Sequence, residues 1–259
     1  MRIINLSVIL SFVVITHLNA QESKVESNVY KWKDMQVSEN NPIAKQAILK
    51  GSTTGLKLLE VNAISLAIGD KSAQTSISDT CETMVLVKEG LVEIQLPTET
   101  KTVGTGSMAT ILPGDKFSIK NVGKTVATCY WLRFNSRKPA NKERGTKAGG
   151  SFVIDFDKIE FKPHDKGGIR NYYRDRATAM FGFTEMHVTN LNPHIKSHEP
   201  HTHSAAEIVL MISGNTEMQI GSAFYKGSAG DLYFLDSNVS HAISNTGDKP
   251  CMYYAIQWE

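Results

Sequence analysis

Apolar and polar residues alternate in short stretches along this chain, and glycines bound the stretches. Leu91-Val-Glu-Ile-Gln-Leu shows the period-two pattern of a half-buried strand, and Glu207-Ile-Val-Leu-Met-Ile-Ser likewise mixes β-branched and apolar residues between glycines. Turn signals recur between such stretches: Lys88-Glu-Gly90, Pro113-Gly-Asp115, Asn121-Val-Gly123, Ser213-Gly-Asn215 and Asn245-Thr-Gly247. No long segment carries the 3.6-residue spacing of an amphipathic helix. The pattern predicts an all-β chain of short strands, a sandwich or barrel.

The pattern also repeats. At a constant offset of 124 positions, Gly214 falls on Gly90, Glu217 on Glu93, Gln219 on Gln95, Gly230 on Gly106, Asn245 on Asn121, Gly247 on Gly123, Tyr254 on Tyr130 and Trp258 on Phe134. A period this long implies a duplicated domain, since solenoid repeats are far shorter. The expected boundaries are a signal segment at 1–20, an N-terminal copy at 21–135, a polar, basic linker at 136–151 and a C-terminal copy at 152–259. In the first segment Arg2 precedes the apolar run Val8 to Ile15, and Ala20 is a candidate cleavage residue. That run is shorter than the roughly 20 residues a spanning helix needs. The expected location is therefore secreted or periplasmic, with no membrane insertion after cleavage.

Charge adds little. With 28 basic and 26 acidic residues the net charge is +2, so no global field selects nucleic acid. Three cysteines (Cys81, Cys129 and Cys251) are too few for a disulfide framework; Cys81 and Cys129 could pair in an oxidising compartment, but buried small side chains are the favoured reading.

Histidine changes the picture. Every histidine beyond the signal segment lies in the C-terminal half. His201 and His203 are two apart, so on a strand both imidazoles enter one face. Glu207 heads the next strand, and His241 comes from a separate hairpin. Three imidazoles and one carboxylate suit a divalent transition metal (Zn, Mn, Fe, Ni, Co or Cu) and leave open positions for a substrate. At the repeat offset these four positions hold Ile77, Asp79, Thr83 and Phe117, so the N-terminal copy keeps the turns and loses every ligand.

The two segments, His201-Thr-His203-(three)-Glu207-(six)-Gly214 and Gly230-Asp231 through His241-(three)-Asn245, resemble the two motifs of the cupin superfamily. Ile195, Asp236 and Asn238 depart from its usual Gly, Pro and Gly. The resemblance implies a bicupin, two tandem jelly-roll β-barrels with one metal-binding copy, over roughly residues 55–259. It leaves the reaction open, because cupins host many chemistries. The chain further resembles secreted bicupin dehydratases that act on uronate ends of oligosaccharides from algal polysaccharides such as ulvan. That implies a metal-dependent hydro-lyase with a carboxylate-bearing small-molecule or oligosaccharide substrate. A ureidoglycine aminohydrolase-like bicupin, a metal-dependent dioxygenase and a sugar-binding bicupin without catalysis are the alternatives. Among residues that could serve such a pocket, His187 would act as base if it points inward. Arg170, Arg174 and Tyr173, in Gly167-Gly-Ile-Arg-Asn-Tyr-Tyr-Arg, would grip a carboxylate or pass a proton, unless they belong to a charged edge strand.

Overall fold

The computed structural model describes residues 23–34, 36–38, 44–72, 75–76 and 78–259; the signal segment and Ile77 lie outside them. Among the described residues no helix is long and apolar enough to cross a membrane. The fold is all-β, as the alternation predicts. Two seven-stranded sheets dominate. One runs, in spatial order, Asn28–Tyr30, Leu232–Leu235, Ala206–Ser213, Cys251–Trp258, Thr184–Leu191, Gly167–Tyr173 and Lys162–His164. The other runs Phe152–Ile154, Met108–Ile111, Glu82–Glu89, Ala127–Ser136, Leu56–Leu66, Ala44–Gly51 and Gln36–Ser38. Position by position these are one sheet at the repeat spacing. A smaller sheet closes each barrel; in the C-terminal half it holds Ala223–Ser228, Asn215–Ile220 and His241–Asn245.

The halves exchange their edge strands. Asn28–Tyr30 pairs with Leu232–Leu235 of the C-terminal sheet, and its repeat equivalent Phe152–Ile154 pairs with Met108–Ile111 of the N-terminal sheet. The segment 136–151, expected as a linker, holds the six-residue helix Lys142–Lys147, capped by the Asn141 side chain on the Arg144 amide. Each exchanged segment also places an aromatic ring against a glycine of the other half. A Cβ on Gly230 would stand 2.9 Å from the Trp32 ring, and one on Gly106 would stand 2.5 Å from the Phe156 ring. Both glycines have positive φ (93° and 94°), so both space and backbone demand glycine.

Three apolar cores follow. One fills each barrel, and the third lies between the barrels, where Leu59, Leu132 and Phe134 meet Ile208, Phe234 and Trp258. Reciprocal tyrosines cross this interface. Tyr254 donates to the Val87 carbonyl at 3.0 Å, and its repeat partner Tyr130 donates to the Gly230 carbonyl at 3.3 Å. Removing either hydroxyl with Phe should cost about 1 kcal/mol, the usual net worth of such a bond. Urea denaturation should place Tyr254→Phe below Tyr130→Phe, since the shorter bond is lost; the reverse order would contradict this geometry.

The three cysteines are free and buried. Cys81 and Cys129 act as small apolar side chains of the N-terminal barrel core.

Candidate metal centre

The backbone brings two of the histidines face to face. His201 and His241 form an antiparallel bridge, each amide donating to the other's carbonyl (3.2 and 3.0 Å). In such a pair both side chains emerge on one side, and the ring centroids are 4.8 Å apart. His203, two residues on, joins the same face. The ligand nitrogens of His201, His203 and His241 all lie within 4.8 Å of one another. The loop before His241 turns at Asn238, whose φ of 60° takes up the left-handed conformation for which the related motif uses glycine. Asp236 stabilises that loop by accepting from the Thr54 hydroxyl at 2.7 Å and from the Ser237 amide.

Glu207 is the buried end of the cluster. Its Oε2 stands 3.2 Å from Nε2 of both His203 and His241, and Gln257 Nε2 donates to the same oxygen at 3.4 Å. Burial alone would push this carboxyl up. The two imidazole hydrogen bonds outweigh it and hold the group down at about 2. The bond to Glu207 raises the pKa of His203 in turn. His201, at the exposed end, is pushed down by partial desolvation and by its two imidazole neighbours, as is His198, whose ring centroid lies 4.4 Å from that of His201.

The donor set fits a divalent cation. Nδ1 of His203 donates to the Ala205 carbonyl and Nδ1 of His241 to the Val239 carbonyl, both at 2.8 Å. These bonds fix each ring and leave Nε2 directed inward, the arrangement expected of ligating imidazoles supported from behind. Three imidazoles and one anionic carboxylate would hold the ion, and the solvent-facing side at His201 leaves room for substrate.

The cluster opens on a cavity of about 160 Å³. Its walls follow from strand parity. Glu207 and Val209 face inward from one strand, Tyr253, Ala255 and Gln257 from the next, and His187 and Thr189 from Thr184–Leu191. His187 thus points into the cavity, two strands away from Glu207. Arg170 and Tyr173, expected to serve the pocket, do not reach it. Arg170 is opposite Val188 and Tyr173 opposite Met186, so both face the interface between the barrels. The Arg170 guanidinium stacks between Phe156 (4.5 Å) and Phe161 (4.8 Å), and Tyr173 packs edge-on against Phe152. Arg174 lies on the cavity side, donating to Asn171 Oδ1 at 3.3 Å. Gln257 and His198 are residues of the site that spacing alone did not select. His194 lies apart, paired with Asp248 at 2.9 Å.

In the N-terminal barrel the equivalent space is filled. Phe117 stands where His241 does and packs against Trp131 at 5.0 Å, and Thr83 replaces Glu207.

Residues 187–257 match the family model described as Cupin domain. No curated protein matches the sequence. Solved structures share the whole architecture at low identity. Oxalate decarboxylase of Lactobacillus farciminis, in a formate complex, superposes with TM-score 0.69 at 10% identity, covering 92% of this chain and 88% of that one. Protein Ylba of E. coli gives 0.68 at 14%, covering 93% and 95%. Bacillus subtilis oxalate decarboxylase, described with Mn(II) centres, gives 0.66 at 13%, covering 93% and 79%. The fold and the site together define a protein of two tandem cupin jelly-roll barrels. One barrel carries a histidine cluster able to hold a metal ion, and in its twin Phe117 packs against Trp131 at the position of His241.

Proposed function

We propose that this protein is a secreted or periplasmic, metal-dependent lyase, and that it removes water from the uronic acid end of polysaccharide-derived oligosaccharides to leave an unsaturated uronate. The observation that carries the reading is the placement of one further imidazole, His187, in the same cavity as His201, Glu207 and His241 of the donor set. A divalent ion bound by His201, His203, Glu207 and His241 would polarise a substrate carboxylate and make the adjacent C–H more acidic. His187 takes that proton, as a general base must be within reach of the bond it breaks. The C–H electron pair forms the new double bond, and the β-hydroxyl leaves as water on taking up the proton that His187 received, which returns the imidazole to its neutral form. Tyr253 is buried and its hydroxyl is held well above the ordinary phenol range by desolvation, so it stays protonated as part of the wall. A cavity of about 160 Å³ admits only the reacting end of a substrate; the remainder of an oligosaccharide would project past the exposed edge at His201.

Purified protein, loaded separately with Mn, Fe, Co, Ni, Cu or Zn, is expected to generate the ultraviolet absorbance of a conjugated enoate from saturated uronate oligosaccharides without consuming oxygen. Silence with every metal and every uronate would remove the proposal, and metal-dependent oxygen uptake would replace it with an oxygenase.

A further inference from the structure

We propose that Glu185 is the positioning residue of His187, the two side chains forming a carboxylate–imidazole dyad that turns the second ring nitrogen toward the metal cavity. The proposal rests on the reading of this site as a centre of proton abstraction, and it is tested separately from it below.

Glu185 and His187 are two residues apart on the strand Thr184–Leu191, so they share its inward face. His187 Nδ1 is buried and has no hydrogen-bond partner among the described residues, and Glu185 Oε1 stands 3.5 Å from it. A small rotation of either side chain closes that gap. Nδ1–H then donates to the carboxylate, and Nε2 is left as the nitrogen that can accept a proton from a substrate. The imidazole charge that appears on accepting it forms beside an anion, the arrangement that orients and supports a catalytic base.

Glu185 is equipped for the task. Its carboxyl is lowered first by His187, against partial burial, and further by Arg174. Arg174 Nε stands 3.8 Å from the same Oε1 and also donates to Asn171, the cross-strand neighbour of His187. The other titratable groups around the ring are Tyr253 and Glu207, on the next two strands of the same sheet, and the imidazoles of His198, His201 and His241.

The N-terminal barrel supplies an internal comparison. There the cross-strand partner of Arg133 is Glu60, as Glu185 is the partner of Gln257, and Asn62 occupies the place of His187. Glu60 is bound by Arg133 at 2.9 Å. In the C-terminal barrel that arginine is replaced by Gln257, which turns to Glu207 instead. The acid thereby loses the cross-strand arginine and keeps only the longer 3.8 Å contact with Arg174, in the barrel where an imidazole stands beside it.

The test is the tautomer of the His187 ring, read from its nitrogen shifts by NMR in the Zn(II)-loaded protein and in its Glu185→Gln variant. In the parent Nδ1 should carry the proton, and Glu185→Gln should shift the ring toward the form protonated on Nε2. Glu185→Asp should keep part of the Nδ1-protonated form, and zinc content should be the same in all three proteins. With uronate as substrate, Glu185→Gln should lower kcat about tenfold or more and leave KM little changed. An unchanged His187 tautomer overturns the dyad even if the enzyme turns over. A changed tautomer in a protein inert toward uronates keeps the dyad and discards the dehydration.

Discussion

Glu207→Gln is expected to release the metal and abolish turnover. The carboxylate is, among the described residues, the anion in contact with the imidazole cluster, and it is buried with two Nε2 atoms at 3.2 Å. An amide offers the ion a neutral oxygen and presents an N–H to histidines that need an acceptor. Loss of a supporting residue behind a ligand already costs roughly 10–100-fold in metal affinity, so loss of the ligand itself should exceed that range. Elemental analysis of the natively purified variant should find far less than one ion per chain, with His241→Ala behaving alike. A full equivalent in both variants would place any bound ion elsewhere. In the ion-free protein the same residue has a stability signature. The folded carboxyl sits at about 2 against an ordinary 4.5, so its contribution is fully present above pH 4.5 and lost as pH falls toward 2. The raised pKa of His203 works from the other side: its share is present below the ordinary 6.5 and fades as pH rises through the folded value. Both shifts describe one interaction, which Glu207→Gln removes at once.

Much of this site was legible in the sequence because its determinants are local. His201 and His203 share a face by strand parity, and the repeat supplies the hairpin that delivers His241. The duplicated turns were legible for a similar reason. Asn121 and Asn245 each clamp the two ends of a turn, donating to the carbonyls of Leu66 and Thr125 in one half and of Leu191 and Lys249 in the other. What sequence could not supply was register. The ladder between Gly167–Tyr173 and Thr184–Leu191 slips at Asn171/Tyr173. A one-residue slip exchanges the faces of a strand, and this one puts Tyr173 on the side of Arg170, away from the cavity. His187 carried no sign of its facing until the pairing with Ala255 was known. The edge-strand exchange was hidden for another reason: Asn28–Tyr30 and Phe152–Ile154 are three residues each, and nothing in so short a stretch names the sheet it joins.

The junction between the barrels should be more stable in mild acid than in mild base, and Glu82→Gln should erase the difference. Glu82 begins a strand of the N-terminal sheet and is buried; its Oε2 accepts from the backbone amides of Ala179 (2.9 Å) and Met180 (3.3 Å) in the C-terminal half. Those amides belong to the loop that leads into the strand bearing Glu185 and His187. Burial raises the carboxyl to about 7, more than the Thr178, Met180 and Ala179 hydrogen bonds and the Arg144 charge can offset. Because the folded pKa lies above the unfolded one, the folded state binds the extra proton between pH 4.5 and 7, and stability falls as pH rises through that window. A shift of this size corresponds to about 3 kcal/mol at most. Gln keeps the accepting oxygen for both amides and carries no charge. Urea denaturation should therefore show the variant gaining on the parent at pH 8 and matching it at pH 5. The same slope in both proteins would mean that Glu82 is ionised at low cost, and that the loop before His187 is held by packing on Phe134 and Trp258 rather than by a protonated carboxyl.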